Sequence, residues 1–218
     1  MPSLVGSEMC IRDRNTYVPF FIRNTLNELV EKTTREQVNE GRAFNSFGDP
    51  TISLKYGILQ GKPFVLSSSI VLGLPLGSLD EKSNLPMPTG DGEFNQMMII
   101  ESGYSYSNFY GILGGGFNNR TKGFSDEIRY HGEIGYKKNR LLVSIKLFGV
   151  NSLENGDGMG NATGLFSNNI SYLTYGPQVA FYATKKVGIL ANMLAGSSGK
   201  NVLAAPSYTV GIFLDLKK

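Results

Sequence analysis

The order of the connections constrains this chain more than any single motif does. Ten segments carry apolar residues against polar or small ones, most of them at a period of two, the side-chain period of a β-strand. They run over 17–24, 51–59, 64–76, 94–106, 109–117, 127–136, 141–150, 169–183, 187–196 and 207–216. The links at 60–63, 105–108, 137–140 and 184–186 are short, and those at 25–49, 78–93, 118–126, 151–168 and 197–206 are long. Long and short alternate without a break. An antiparallel meander with tight turns at one end and long loops at the other has this pattern. In bacterial outer-membrane barrels the short turns are periplasmic and the long loops extracellular. A β-sandwich or a lipocalin has no reason to sort its connections by length so strictly.

The stretch from Asp49 to Gly77 shows the repeating unit. Ile52, Leu54, Tyr56 and Ile58 alternate with Thr51, Ser53, Lys55 and Gly57. Gln60-Gly61-Lys62-Pro63 supplies a reversal. Phe64, Leu66, Ile70, Leu72, Leu74 and Leu76 then share one face, with Ser67, Ser69, Val71, Gly73 and Pro75 on the other. The second strand exceeds the five or six residues or so usual in soluble sheets. Between Glu127 and Tyr136 the alternation is clearest: Ile128, Tyr130, Ile134 and Tyr136 against Glu127, Arg129, His131 and Glu133. The segment 109–117 is so rich in glycine that its facing is ambiguous. Residues 25–49 read as a polar loop with a helical turn through Leu26 to Gln37.

Composition narrows the alternatives. Residues 1–14 include Leu4 to Arg14, LVGSEMCIRDR, which resembles a translated sequencing adapter; they are set aside as an artefactual leader, with 15–218 as one domain. The leader holds Arg12, Arg14, Glu8 and Asp13, two charges of each sign, so the net charge of +3 is unchanged without it. It also holds Cys10, the single cysteine, which leaves neither a disulfide framework nor thiolate chemistry. The basic residues are scattered, unlike a nucleic-acid footprint. No apolar run reaches the ~18 residues of a spanning helix. With 27 glycines and a mean hydropathy of -0.12, soluble all-β proteins and membrane barrels remain.

If the apolar faces meet lipid, Ile52, Leu54, Tyr56, Leu66, Ile70, Leu72, Ile128, Tyr130 and Ile134 are lipid-facing. Arg23, Lys55, Glu101, Arg129, His131, Glu133, Lys146 and Asp215 then line a lumen. Both signs are present there, so mutual pairing is expected, with an acidic partner for Lys55. Aromatics gather near the short turns: Tyr56, Phe64, Tyr104, Phe109, Tyr110, Tyr136 and Phe181. That is where an interfacial girdle would lie, although core aromatics of a soluble β protein would read the same way. His131 is the only histidine and sits beside Arg129 and Glu133, a structural setting rather than a catalytic one. No G-x-S-x-G, phosphate loop, zinc-ligand cluster or dinucleotide fingerprint occurs. Thr89–Glu93 and Asn155–Asn161 resemble calcium loops in composition but do not complete the ligand pattern, and turn chemistry accounts for them. The sequons at Asn119, Asn161 and Asn169 carry little weight. No catalytic residue, metal or cofactor is expected.

The segments GDPTISLKYGI, FVLSSSIVLGLPLG, TGDGEFNQ, GFNNRTKGFSDE and PSYTVGIFLDL resemble Bacteroidetes outer-membrane β-barrel proteins described as transporters of the phenol-degradation meta-pathway family. The resemblance runs over nearly all of 15–218. It implies an all-β, antiparallel up-and-down barrel in the outer membrane, and it transfers no site residue. It also implies a signal peptide and further strands ahead of the VPFF segment, with about twelve strands in all. The expected function is passive passage of a small solute, hydrophobic solutes included, through a narrow, partly plugged lumen. The alternative is a structural or adhesion barrel with a sealed lumen and ligand-binding outer loops. The expected partners are outer-membrane lipid and the solute, with no nucleic acid; oligomeric state and substrate stay open.

Overall fold

The computed structural model describes residues 12–19, 22–26, 29–30, 37–39, 42–61, 63–78, 89–90, 92–121, 124–154, 169–202 and 206–214. Among the described residues fourteen strands follow one another: β1 (Arg12–Tyr17), β2 (Ile22–Leu26), β3 (Leu29–Val30), β4 (Gln37–Asn39), β5 (Arg42–Ser46), β6 (Thr51–Gln60), β7 (Phe64–Gly73), β8 (Asn95–Tyr106), β9 (Phe109–Asn119), β10 (Glu127–Lys138), β11 (Leu141–Ser152), β12 (Ser171–Tyr182), β13 (Val187–Lys200) and β14 (Ser207–Leu214). Ten of them form one antiparallel sheet in the order β1-β6-β7-β8-β9-β10-β11-β12-β13-β14. From β6 onward each strand pairs with its sequence neighbour, an up-and-down meander. Among the described residues there is no helix, and none long and apolar enough to cross a membrane, which says nothing of strands. Among the described residues the sheet is open: β1 pairs only with β6 and β14 only with β13, so the closed barrel expected from the sequence is not formed there.

The short turns lie together at one end. Ser107-Asn108 and Asn139-Arg140 are two-residue turns between the paired residues Tyr106 and Phe109, and Lys138 and Leu141. Each has a positive φ at its first residue only, 55° at Ser107 and 54° at Asn139, as a type II′ hairpin turn requires. Neighbouring turns are stitched by backbone bonds, Lys137 N–H to Asn108 O (2.8 Å) and Tyr182 N–H to Arg140 O (2.8 Å). A bulge between Gly57 and Leu59 sets Ile58 aside from the β6–β7 pairing.

The N-terminal segment departs from expectation. The run over 17–24 is not one strand but the end of β1 and the start of β2, divided at Val18-Pro19. Pro19 has no N–H for a ladder, while its carbonyl accepts from Gly48 N–H at 3.0 Å. Arg12, Asp13 and Arg14, which belong to the stretch set aside, occupy β1 opposite Tyr56, Lys55 and Leu54. The helical turn expected through Leu26 to Gln37 is not present at its described residues, and 27–28 and 31–36 lie outside them. Leu26 closes β2, Leu29 and Val30 form β3, and Gln37 opens β4. The reason is register: Tyr17 faces Thr51, Ile22 faces Ser46 and Leu29 faces Asn39. From Tyr17 to Leu29 each advance along one arm is matched by an equal retreat along the other, and the register shifts by one residue at Val30, which faces Gln37. The three ladders therefore follow the register of one hairpin, with β2–β5 and β3–β4 beyond the sheet at its long-loop end.

The sheet's two faces differ in kind. One carries Ile52, Leu54, Tyr56, Ile70, Met98, Ile100, Leu113, Ile128, Ile134, Ile145, Val179 and Ile189, all exposed. The other carries Ser67, Ser69, Glu127, Glu133, Ser144, Lys146 and Gln178, all buried. The glycine-rich β9 resolves the same way: Tyr110, Ile112, Gly114, Gly116 and Asn118 lie on the polar face, and Phe109, Leu113 and Phe117 on the apolar one.

Candidate functional site

The polar face is built in layers from the short-turn end to the long-loop end, and small residues make each layer possible. At the short-turn end Tyr182 and Phe213 meet edge-on at 4.9 Å, reaching over Gly188 on the strand between them. A Cβ on Gly188 would come within 2.2 Å of the Phe213 ring. Leu142 and Ala180 pack against this pair, and Lys137 Nζ lies 4.7 Å over the Tyr182 ring. This apolar floor is the one hydrophobic cluster of buried residues among those described.

Above it, Glu133 and Lys146 stand directly opposite each other on β10 and β11, with Nζ 3.5 Å from Oε2. Tyr110 donates its hydroxyl hydrogen to Glu133 Oε1 at 2.5 Å, its ring lying over Gly135. Both charges are at most 8 % exposed, so the pairing is what makes their burial tolerable.

The next layer joins three strands that are not neighbours. Lys55 on β6 pairs with Glu101 on β8, and Glu101 Oε1 lies 3.0 Å from His131 Nε2 on β10. The strands between offer only Ser67 and Ser69 on β7 and Gly114 on β9. A Cβ at Gly114 would stand 2.4 Å from His131 and 2.9 Å from Glu101, so glycine is what lets the two side chains meet. Phe148, directly opposite His131 on β11, has its ring 6.4 Å away and 37 % of its surface exposed. It is a large apolar side chain on the polar face.

At the long-loop end Glu127 is the hub. It accepts from Arg120 Nη1 (2.9 Å), from Arg129 Nη2 and Nε (2.8 and 3.0 Å) and from Asn118 Nδ2 (3.2 Å). Its two arginines differ: the Arg120 side chain is 4 % exposed, that of Arg129 42 %. Loop residues continue the network. Thr121 donates to Glu93 at 2.7 Å, Gly77 N–H to Asp49 Oδ1 at 2.7 Å, and Ser125 N–H to Asn169 Oδ1 at 3.0 Å.

The residues expected to line a lumen therefore fall out unevenly. Lys55, Glu101 and His131 form one group and Glu133 and Lys146 another, while Arg129 joins Glu127. The acidic partner expected for Lys55 is Glu101. Arg23 does not belong with them: it is exposed on β2, in the projecting hairpin away from the ten-stranded sheet. Asp215 lies outside the described residues, as do Asp91 and the loop 155–161. Of the residues expected to face lipid, Ile52, Leu54, Tyr56, Ile70, Ile128 and Ile134 are exposed, and Leu66, Leu72 and Tyr130 half-buried. Tyr130 lies across Gly149, whose Cβ would meet the ring at 2.1 Å. Tyr110 corrects the aromatic girdle: it points to the polar face and is 4 % exposed, whereas Phe64, Tyr104, Phe109 and Phe181 lie exposed on the apolar face. Sequence reasoning missed Tyr110, Phe148 and Arg120. Gly135, in register with Tyr110, is the signal that could have found the first.

The described groups of this face are paired charges and a Tyr–Glu hydrogen bond. Among the described residues no cluster of three or more His, Cys, Asp or Glu could hold a metal ion. Ser67, Ser69, Ser144, Gln178 and Asn192 each keep a buried polar atom without a protein partner, which suits a wetted face. No protein-family model matches this chain, and no curated protein does either.

Proposed function

We propose that the chain forms a bacterial outer-membrane β-barrel that passes a small solute along its polar face. The observation that carries this reading is the inversion of the faces: exposed isoleucine, leucine and phenylalanine on one side, buried and paired charges on the other. Large exposed apolar side chains stand on every strand from β6 to β14, a contiguous patch of a kind soluble monomers rarely expose. An antiparallel strand array with alternating apolar and polar faces is what a bilayer selects, since hydrocarbon tolerates only helices and closed barrels. On this reading the free edges of β1 and β14 are paired in the membrane, with each other or through further strands. The described strands of the sheet after β1 run from 8 to 14 residues, in keeping with the ~9–11 a tilted strand needs to span.

The layered interior supports a narrow lumen. The Tyr182–Phe213 floor and the Lys55–Glu101–His131 bridge reduce the passage, while Arg129, His131 and Phe148 stay partly open to it. An interior with both cations and an aromatic ring suits small solutes with an apolar part. One observation favours the second reading, a sealed barrel with partner-binding loops: the outer loops are tied by polar contacts, part-buried at Asp49 and buried at Asn169. Planar-bilayer conductance and liposome swelling separate the two. Solute-dependent swelling is expected; folded, inserted protein with no flux of any solute would overturn the channel reading.

A further inference from the structure

The short-turn end carries a charge pattern that the proposed passage does not use. Lys138 ends β10 and Arg140 lies in the β10–β11 turn, and Lys185 and Lys186 lie in the β12–β13 turn; all four are exposed. The two turns are adjacent, because Leu141 pairs with Phe181 and Tyr182 N–H bonds Arg140 O at 2.8 Å. That places four cations on hairpins about 10 Å apart, two interstrand spacings. None makes an ion pair with a described residue, and no described acidic residue lies in any short turn. The opposite end is different in sign: Asp49, Glu93, Asp126, Glu127 and Glu154 stand there with Arg120, Arg129 and Lys200.

Just inside the basic turns the apolar face changes character. Phe109 and Tyr136 pack ring against ring at 4.9 Å, and Phe181 is 48 % exposed. Aromatic rings below a row of cations form the pattern of a membrane–water interface, with rings at headgroup depth and ammonium or guanidinium groups beyond them. An unpaired cation there gains by meeting a phosphate, and each such Lys or Arg favours an anionic surface by about five-fold in binding.

We propose that Lys138, Arg140, Lys185 and Lys186 form a binding surface for anionic phospholipid headgroups in the leaflet that meets the short turns. The inference rests on the membrane reading above. The surface fixes the depth of the β10–β13 hairpins and gives the two membrane faces of the protein different lipid preferences.

The test uses the full chain reconstituted in phosphatidylcholine bilayers with a trace of spin-labelled phosphatidylglycerol or phosphatidylcholine. The fraction of label immobilised at the protein gives a relative association constant. At low salt phosphatidylglycerol should be preferred by about five-fold or more, and the preference should fall as salt is raised. Lys138→Gln, Arg140→Gln, Lys185→Gln and Lys186→Gln together should bring the two lipids to parity. Exchanging lysine for arginine and the reverse at the four positions should keep the preference. Should the four-fold variant fail to fold, Lys185→Gln with Lys186→Gln, confined to an exposed turn, should still lower it several-fold. Equal immobilisation of both lipids by the unaltered protein overturns the inference and leaves the membrane reading standing. So does a preference that survives the glutamine variants. No immobilised component with either label overturns the membrane reading itself.

Discussion

Glu133 and Ile134 are neighbours on β10, and directly across from them stand Lys146 and Ile145 on β11. The two isoleucines are 73 % and 64 % exposed, the two charges 7 % each. In a water-soluble sheet the hydrophobic effect would reverse this order, since burying an Ile side chain is worth about 1.5–3 kcal/mol. The comparison teaches that the sheet is not organised around an apolar core. Its polar face satisfies its charges internally, and its apolar face lies exposed among the described residues; on the proposed reading lipid covers it.

The comparison breaks most sharply at the buried pair. Glu133→Leu takes the acceptor from the Tyr110 hydroxyl and leaves Lys146 without its facing carboxylate; a loss of about 3–5 kcal/mol is expected in urea unfolding from bilayers. Adding Lys146→Met should restore most of it, because an apolar pair of similar volume removes the uncompensated charge. A single-variant loss that the second change leaves in place would mean that Glu133 matters for packing rather than charge.

Ile134→Lys attacks the other face. A lysine at mid-height toward lipid should cost about 2–4 kcal/mol in vesicles. The same substitution on a water-facing sheet would fall within about 0.5 kcal/mol, so the size of the effect reports the solvent directly. Two glycines sharpen the contrast at smaller scale. Gly135→Ala sets a Cβ 2.4 Å from the Tyr110 ring, which is buried and held by Glu133. Gly149→Ala sets one 2.1 Å from the Tyr130 ring, on the apolar face. The first should cost about 1–3 kcal/mol; the second should cost less, since Tyr130 is only half-buried and can swing away. Equal losses would mean that both rings are equally confined.

The smallest expected change in stability comes from Lys55→Leu. The ion pair is partly exposed, so folding should change by no more than about 1 kcal/mol. Glu101 keeps its contact with His131, and the interior loses one cation. Ion selectivity in planar bilayers should shift toward cations, and an unchanged selectivity would remove Lys55 from the conducting path.

Much of this was legible in the sequence because it depends on a period of two and on turn length. The strands from Thr51 onward lie within a few residues of their expected places, and the faces follow from alternation alone. What stayed hidden depends on other strands. Tyr110 was assigned to the girdle because Gly111, Gly114, Gly115 and Gly116 leave β9 without a pattern; its side is fixed only by the ladder to β10. A helical turn is expected within the polar loop 25–49, yet Leu26, Leu29, Val30 and Gln37 lie in strands, in the register carried onward from Tyr17–Thr51. Arg23 was placed in the lumen on the assumption of one strand over 17–24, and Pro19 divides that strand. Phe148 faces His131 against the polarity of its own side chain; alternation with Ser144 and Lys146 puts it there, but its residue type hides it.

The most direct test of the account is a site-directed spin-label scan along β11 in bilayers. Cys10 is the only cysteine, so a Cys10→Ser background admits single labels at Val143, Ser144, Ile145, Leu147 and Phe148. Labels at 143, 145 and 147 should collide with dissolved oxygen and be shielded from a water-soluble nickel complex. Labels at 144 and 148 should show the reverse. Access of the nickel complex to 143, 145 and 147 equal to that at 144 and 148 would contradict a lipid-facing apolar side and, with it, the central claim.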